Sequence, residues 1–203
     1  MKVRAEVWRL RSKRMFNRVW HALRAARERL GARIVHYSVQ DDHLHLLVEA
    51  RSAEALSRAM QGLAVRLARA LNRAMERKGR VFADRFHERV LATPKETRRC
   101  IQYVLGNAKK HGIGARRPRW VDGMSSAPWF DGWRGEVRFE LPACAGGGAD
   151  PPTVAPSSWL LSRGWRRAGG PWTRRTCPDR GAARDPDGWR AERESARCAA
   201  GAA

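Results

Sequence analysis

Acidic residues are scarce in this chain. Its 203 residues hold 20 Asp+Glu against 41 Lys+Arg, a formal charge of +21. A preference for Arg over Lys can follow from base composition, but a shortage of acids cannot. The imbalance argues against an ordinary enzyme of small metabolites and for a polyanionic partner, most simply nucleic acid, bound largely through its phosphates. Long apolar runs are missing, as is a signal-peptide pattern, so the expectation is a cytoplasmic protein with no membrane partner. Cysteine is sparse: Cys100, Cys144, Cys177 and Cys198 form no CxxC pair, which argues against a zinc ribbon or a disulfide framework. No repeat is visible, which excludes a solenoid. Tyrosine is nearly absent, with only Tyr37 and Tyr103.

What is present is unevenly placed. Residues 1–116 carry 27 Lys+Arg against 10 Asp+Glu, and residues 117–203 carry 14 against 10. The front of the chain is therefore the part suited to phosphates. Residues 3–10 alternate Val3, Ala5 and Val7 with charged neighbours and predict a strand. Residues 13–31 space Phe16, Val19, Trp20, Leu23, Ala26 and Leu30 as one helical stripe, with Gly31 as its stop. Residues 33–40 and 43–50, separated by Asp41-Asp42, predict a β-hairpin. A second helix over 53–77 aligns Leu56, Met60, Leu63, Leu67, Leu71 and Met75. Residues 80–92 predict a fourth strand. Thr93-Pro94-Lys95-Glu96 is a capping box with proline in the first turn, opening a third helix that runs to about His111.

That order is β-α-β-β-α-β-α. It predicts an α+β fold: a split βαβ, ferredoxin-like antiparallel sheet with helices on one face, followed by an irregular C-terminal extension. The expected divisions are a domain over 1–116, a Trp-rich arm over 117–141 that packs back on it, and a linker with a largely disordered basic tail over 142–203. Within the last, residues 158–168 (SWLLSRGWRRA) suit a short basic helix.

Two groups of residues carry chemistry. Side chains two apart on a strand share a face, so His43 and His45 point one way while Leu44, Leu46 and Val48 point into the core. Two imidazoles on one face can chelate a divalent ion if a third ligand arrives from elsewhere; they also occur as ordinary surface histidines. On the third helix, Ile101, Val104, Leu105 and Ala108 cluster on one side. Tyr103 falls opposite, with Arg99, Asn107 and Lys110. A phenol among cations and an amide suits attack on a phosphodiester, with Arg99 and Lys110 stabilising the developing charge; an exposed polar helix face is the plainer reading. Tyr37, between Val35 and Val39, reads as core. Together the groups suggest that Asn107 joins His43 and His45 as ligand while Tyr103 is the nucleophile. Arg85 and His87 share a face of the expected fourth strand and suit phosphate contact or support of the site. His36 suits a supporting or a structural place.

HLHLLVEA, then GRVFADRFH, then TPKETRRCIQYVLGNAKKHG resemble the single-tyrosine HUH transposases, in particular the insertion-sequence-200-like and REP-associated branch. The resemblance covers about residues 3–134. It implies Mg²⁺ or Mn²⁺ as cofactor, single-stranded or hairpin DNA as partner, a 5′-phosphotyrosine intermediate and, in many members, a homodimer. It implies the metal-ligand role for His43, His45 and Asn107 (members often carry Gln there) and the nucleophile role for Tyr103. By their place near these residues, Arg99, Lys109, Lys110, Arg85 and His87 are the expected DNA contacts. The function expected is a DNA transposase or strand transferase that cleaves and rejoins DNA. The alternatives are a non-catalytic or domesticated nucleic-acid-binding relative and a related HUH endonuclease. The lack of a second tyrosine on the third helix argues against a two-tyrosine replication initiator.

Overall fold

A computed structural model describes residues 1–114, 116–145, 150–170 and 172. Residues 173–203, with Cys177, Cys198 and most of the expected disordered tail, lie outside the described residues. The elements that position the site are α1 (Lys13–Ala26), β1 (Glu28–Arg29), β2 (Ala32–Val39), β3 (Leu44–Ala50), α2 (Ala53–Ala74) and α3 (Pro94–Lys110). The three strands form one antiparallel sheet in the order β1-β2-β3.

The first expected helix stops earlier than its apolar stripe suggests. α1 ends at Ala26, and residues 28–33 fold into a tight hairpin, Glu28 opposite Arg33 and Arg29 opposite Ala32. Leu30 and Gly31, at φ 55° and 76°, make its two-residue turn. Positive φ at both central positions matches the twist of the flanking strands, so Gly31 serves a hairpin rather than a helix end. Leu30 stands at the turn, 53% exposed, not in the core.

The expected first and fourth strands are reduced to fragments. Lys2 bridges His43, and Val3 bridges Phe82. The Val3 amide donates to Asp42 O at 2.8 Å, the Arg4 amide to Val81 O at 2.9 Å and the Ala83 amide to Lys2 O at 3.0 Å. The split βαβ connectivity thus persists, with each outer strand cut to a few residues. Residues 84–92 form no strand: charged side chains crowd the segment, and Val90 is 85% exposed.

Leucine and aromatic spacing explains the packing. α1 and α2 lie on one sheet face, where Phe16, Val19, Trp20, Leu23, Leu63, Leu67 and Leu71 bury against Tyr37, Val39 and Leu44. Ser52 caps α2 by accepting the Ala55 amide at 3.1 Å. α3 packs on the opposite face through Ile101, Val104 and Leu105, against Val35 and Leu47. A β-bulge between Ile34 and His36 rephases β2, so that Ile34 pairs with Val48 but His36 with Leu47. The extra residue turns Val35 and His36 to the α3 side and returns Tyr37 to the α1/α2 side.

The chain after α3 returns to the sheet. Asp122 receives Arg11 in a buried bidentate pair, Nη1 at 2.7 Å and Nη2 at 2.8 Å. Trp129 lies 5.6 Å from Trp20 between ring centroids. Residues 150–157, linker-like in composition, are tied down: the Val154 amide donates to Ile34 O at 2.9 Å and Arg33 Nη2 to Ala155 O at 3.0 Å. Glu49 Oε1 and Oε2 then accept the Ser158 and Ser157 amides at 2.8 and 2.9 Å. A π turn over Leu160–Gly164 continues into α4 (Trp165–Arg167) beside α3. Leu161, Trp165 and Trp172 complete the second core with Phe130. Trp165 and Trp172 stack at 4.8 Å and 10°. The Arg98 guanidinium sits over Trp172 at 4.6 Å, and its Nη1 donates to Gly170 O.

Candidate functional site

The α3 helix is well specified locally. Thr93 Oγ1 accepts the Glu96 amide at 3.2 Å while Glu96 Oε2 accepts the Thr93 amide at 3.1 Å. Each end of such a box satisfies a backbone donor that the helix leaves open. Ile101, Val104, Leu105 and Ala108 then bind the helix to the sheet, at 0–4% exposure.

That docking brings both sequence-derived groups together. β3 pairing sets Ser38 opposite His45 and Val39 opposite Leu44. His43 and His45 therefore share the face covered by α3, with Leu47, while Leu44 faces α1 and α2. The two imidazole centroids are 4.7 Å apart, nearly perpendicular at 83°. The Tyr103 ring meets His45 edge to face, centroids 5.1 Å apart at 82°. Tyr103 is half-buried, its flank touching the second core. Lys110 Nζ lies 4.9 Å from the centre of its ring.

Burial disfavours the charged form of both histidines. His43 Nδ1 is 2.6 Å from Asp42 Oδ1. With the proton on Nδ1 donated to the carboxylate, the Nε2 lone pair is free, the arrangement usual behind metal-bound imidazoles. Burial holds the His43 pKa below its ordinary value, against the opposing pull of Asp42. His45 is pushed down to about 3, first by burial and then by His43 and the chain's N-terminal ammonium. His45 Nε2 is buried with no hydrogen-bond partner.

Asn107, one turn beyond Tyr103, is only 1% exposed, and neither Oδ1 nor Nδ2 has a partner. It departs from the expected polar face in being buried. A buried amide left unsatisfied costs about 1–3 kcal/mol, so a ligand for it has energetic reason. Among the described residues no three His, Cys, Asp or Glu side chains group closely enough to hold an ion by themselves. The two adjacent imidazoles are donors that a divalent ion accepts, and Asn107 is an unpartnered amide one turn from Tyr103.

Other expected residues are placed less centrally. Arg99 is exposed and Lys109 half-buried on α3. Arg85 and His87 are exposed in the segment that forms no strand, so the shared strand face expected for them does not exist. His36 is buried beside Ser126 Oγ at 3.2 Å and Phe130 at 5.5 Å, a structural place. His111 escaped the sequence reading. Its ring lies 5.9 Å from His43, and the spacing Tyr103, Asn107, His111 at intervals of four was the available signal.

Residues 1–104 match a family model described as transposase IS200 like. The matched span contains His43, His45 and Tyr103 and ends three residues before Asn107. No curated protein and no solved structure matched the chain.

Proposed function

The chain belongs to the IS200-like transposase family, and from that premise we propose that it cleaves and rejoins single-stranded DNA, hairpins included, through a covalent bond to Tyr103. The Tyr103 oxygen attacks the scissile phosphorus, the P–O3′ bond breaks, and a 3′-hydroxyl leaves. The 5′-phosphate stays on the phenol, and a second 3′-hydroxyl later reverses the step. The bond energy is kept in the phosphotyrosine, so rejoining needs no nucleotide cofactor.

His43, His45 and Asn107 would hold a Mg²⁺ or Mn²⁺ ion, which when bound supplies positive charge to the scissile phosphate. Asp42 orients His43. The low proton affinity of His45 keeps its lone pair available at neutral pH. Lys110, beside the Tyr103 ring, and Arg99 and Lys109 on the same helix offer cations to flanking phosphates. The observation that carries the reading is the edge-to-face contact of Tyr103 with His45 at 5.1 Å, beside a buried imidazole nitrogen and a buried amide that both lack partners.

Tyr103→Phe keeps the ring against His45 and removes only the hydroxyl. With labelled hairpin DNA and Mn²⁺, the wild-type chain is expected to form an SDS-resistant adduct and the variant none. An adduct of equal yield in the variant rejects Tyr103 as nucleophile.

A further inference from the structure

Large exposed aromatics on so basic a protein invite a question about bases. Among the described residues two tryptophans stand half in water: Trp8, 50% exposed, and Trp159, 48% exposed. Their surroundings differ. Arg14 lies over Trp8, but that arginine pairs with Glu76, and Glu6 pairs with Arg4 and Arg77 nearby. Residues 151–170 contain no Asp or Glu and three arginines. Of these, Arg166 pairs with Asp131 at 2.8 Å. Arg163 and Arg167 are exposed with no acidic partner among the described residues.

Trp159 is also held in place. The segment leading into it is fixed on Glu49, which accepts both the Ser157 and Ser158 amides. Its indole lies on Gly164, where an added Cβ would come within 2.8 Å of the six-membered ring. The backbone between them is the π turn Leu160–Gly164, a rare form often found where a helix is shaped for binding. The Arg167 guanidinium lies over part of the ring, 5.3 Å from its centroid. Behind it, Leu161 and Trp165 anchor the segment in the core beneath α3. Even so, Trp159 keeps 48% of its surface in water.

The position suits a strand leaving the site. Glu49 follows His45 by four residues on β3, about 14 Å along the strand, and both lie on the sheet side that α3 and the C-terminal segment cover. We propose that Trp159 is a stacking platform for an unpaired base of single-stranded DNA a few nucleotides from the bond held at Tyr103, with Arg163 and Arg167 on the flanking phosphates. The inference rests on the reading of the chain as an enzyme of single-stranded DNA. An indole accepts any base on its π-face, so this surface adds affinity and strand path rather than sequence choice. It lies outside the span matched by the family model, which stops at residue 104.

The test uses the full chain carrying Tyr103→Phe, with chelator present, so that binding is measured without cleavage. A fluorescein-labelled oligothymidylate is the probe. Trp159→Ala is expected to weaken binding about fivefold or more, and Trp159→Phe about twofold or less. Arg163→Ala and Arg167→Ala are each expected to lower the slope of log K against log salt by about 0.7. In the unsubstituted Trp159 background, 5-iododeoxyuridine walked along the probe is expected to photocrosslink to Trp159 at one or two adjacent positions. Unchanged affinity in Trp159→Ala, unchanged salt slopes, or crosslinks confined to Trp8 would overturn the proposal. The failures are separable: DNA adducts at Tyr103 with no effect at Trp159 reject the platform alone, and a Trp159 effect without adducts rejects only the nucleophile.

Discussion

Trp165→Ala tests whether the C-terminal segment is part of the folded domain or merely rests on it. Trp165 is 1% exposed, stacked on Trp172 and in contact with Phe130 at 5.4 Å. An indole buries about 200 Å², which at about 25 cal/mol per Å² amounts to about 5 kcal/mol. Alanine retains a small part of that, and the lost stacking adds about 1 kcal/mol. The expected destabilisation is therefore about 4–5 kcal/mol, in line with large-to-small substitutions in packed cores. For a chain of this size the melting midpoint should fall by about 8–20 °C. Thermal unfolding by circular dichroism reads this directly, and urea titration gives the free energy. A cycle with Arg98→Ala should show coupling of about 0.5–2 kcal/mol, because Arg98 lies 5.9 Å from Trp165 and 4.6 Å from Trp172. A midpoint within about 2 °C of wild type would mean that residues 158–170 and Trp172 do not dock on α3.

Three further outcomes follow from the packing and the site. Asp122→Asn leaves Arg11 short of its charge partner in a place where the two side chains are 12% and 3% exposed; a loss of about 3–5 kcal/mol is expected in urea unfolding, and a loss below about 1 kcal/mol would count against the buried pair. His36 has its pKa lowered to about 4, by burial first. Its folded value lies below its unfolded one, so its stabilisation is present above about pH 6.5 and is lost as pH falls toward 4; His36→Gln should flatten that limb of the stability–pH curve, by up to about 3 kcal/mol, and an unchanged limb would refute it. Mn²⁺ should raise the melting midpoint of the wild-type chain and not that of Asn107→Ala; an equal rise in both would remove Asn107 from the ligand set.

The parts of the site that could be read from sequence are those set by local periodicity. Alternation along β3 put His43 and His45 on one face, and the capping box fixed where α3 starts. Long-range events were harder to see. The bulge at Val35 depends on pairing with β3 and leaves no mark in the spacing of β2. Leu30 continues the apolar stripe of α1, yet the hairpin with β2 competes for those residues and wins. Asn107 looks polar-facing by helical phase, yet it is buried, so the covered face of α3 extends past its leucine and valine stripe. The short helix expected over 158–168 is there, as the π turn and α4, but its docking left no local mark: its contacts with α3, Arg98 with Trp165 and Trp172, join positions about 70 residues apart. His111 shares the stripe of Tyr103 and Asn107, but its approach to His43 depends on how α3 meets β3.

The proposed chemistry runs through one phenol, Tyr103, bonded to DNA. Digestion of the trapped complex followed by mass spectrometry tests it most directly. The α3 peptide containing Tyr103 should carry a 5′-phosphodeoxynucleotide, with Tyr37 unmodified in its buried place. A nucleotide found on any other side chain, or strand cleavage with Tyr103 wholly free, would contradict the account.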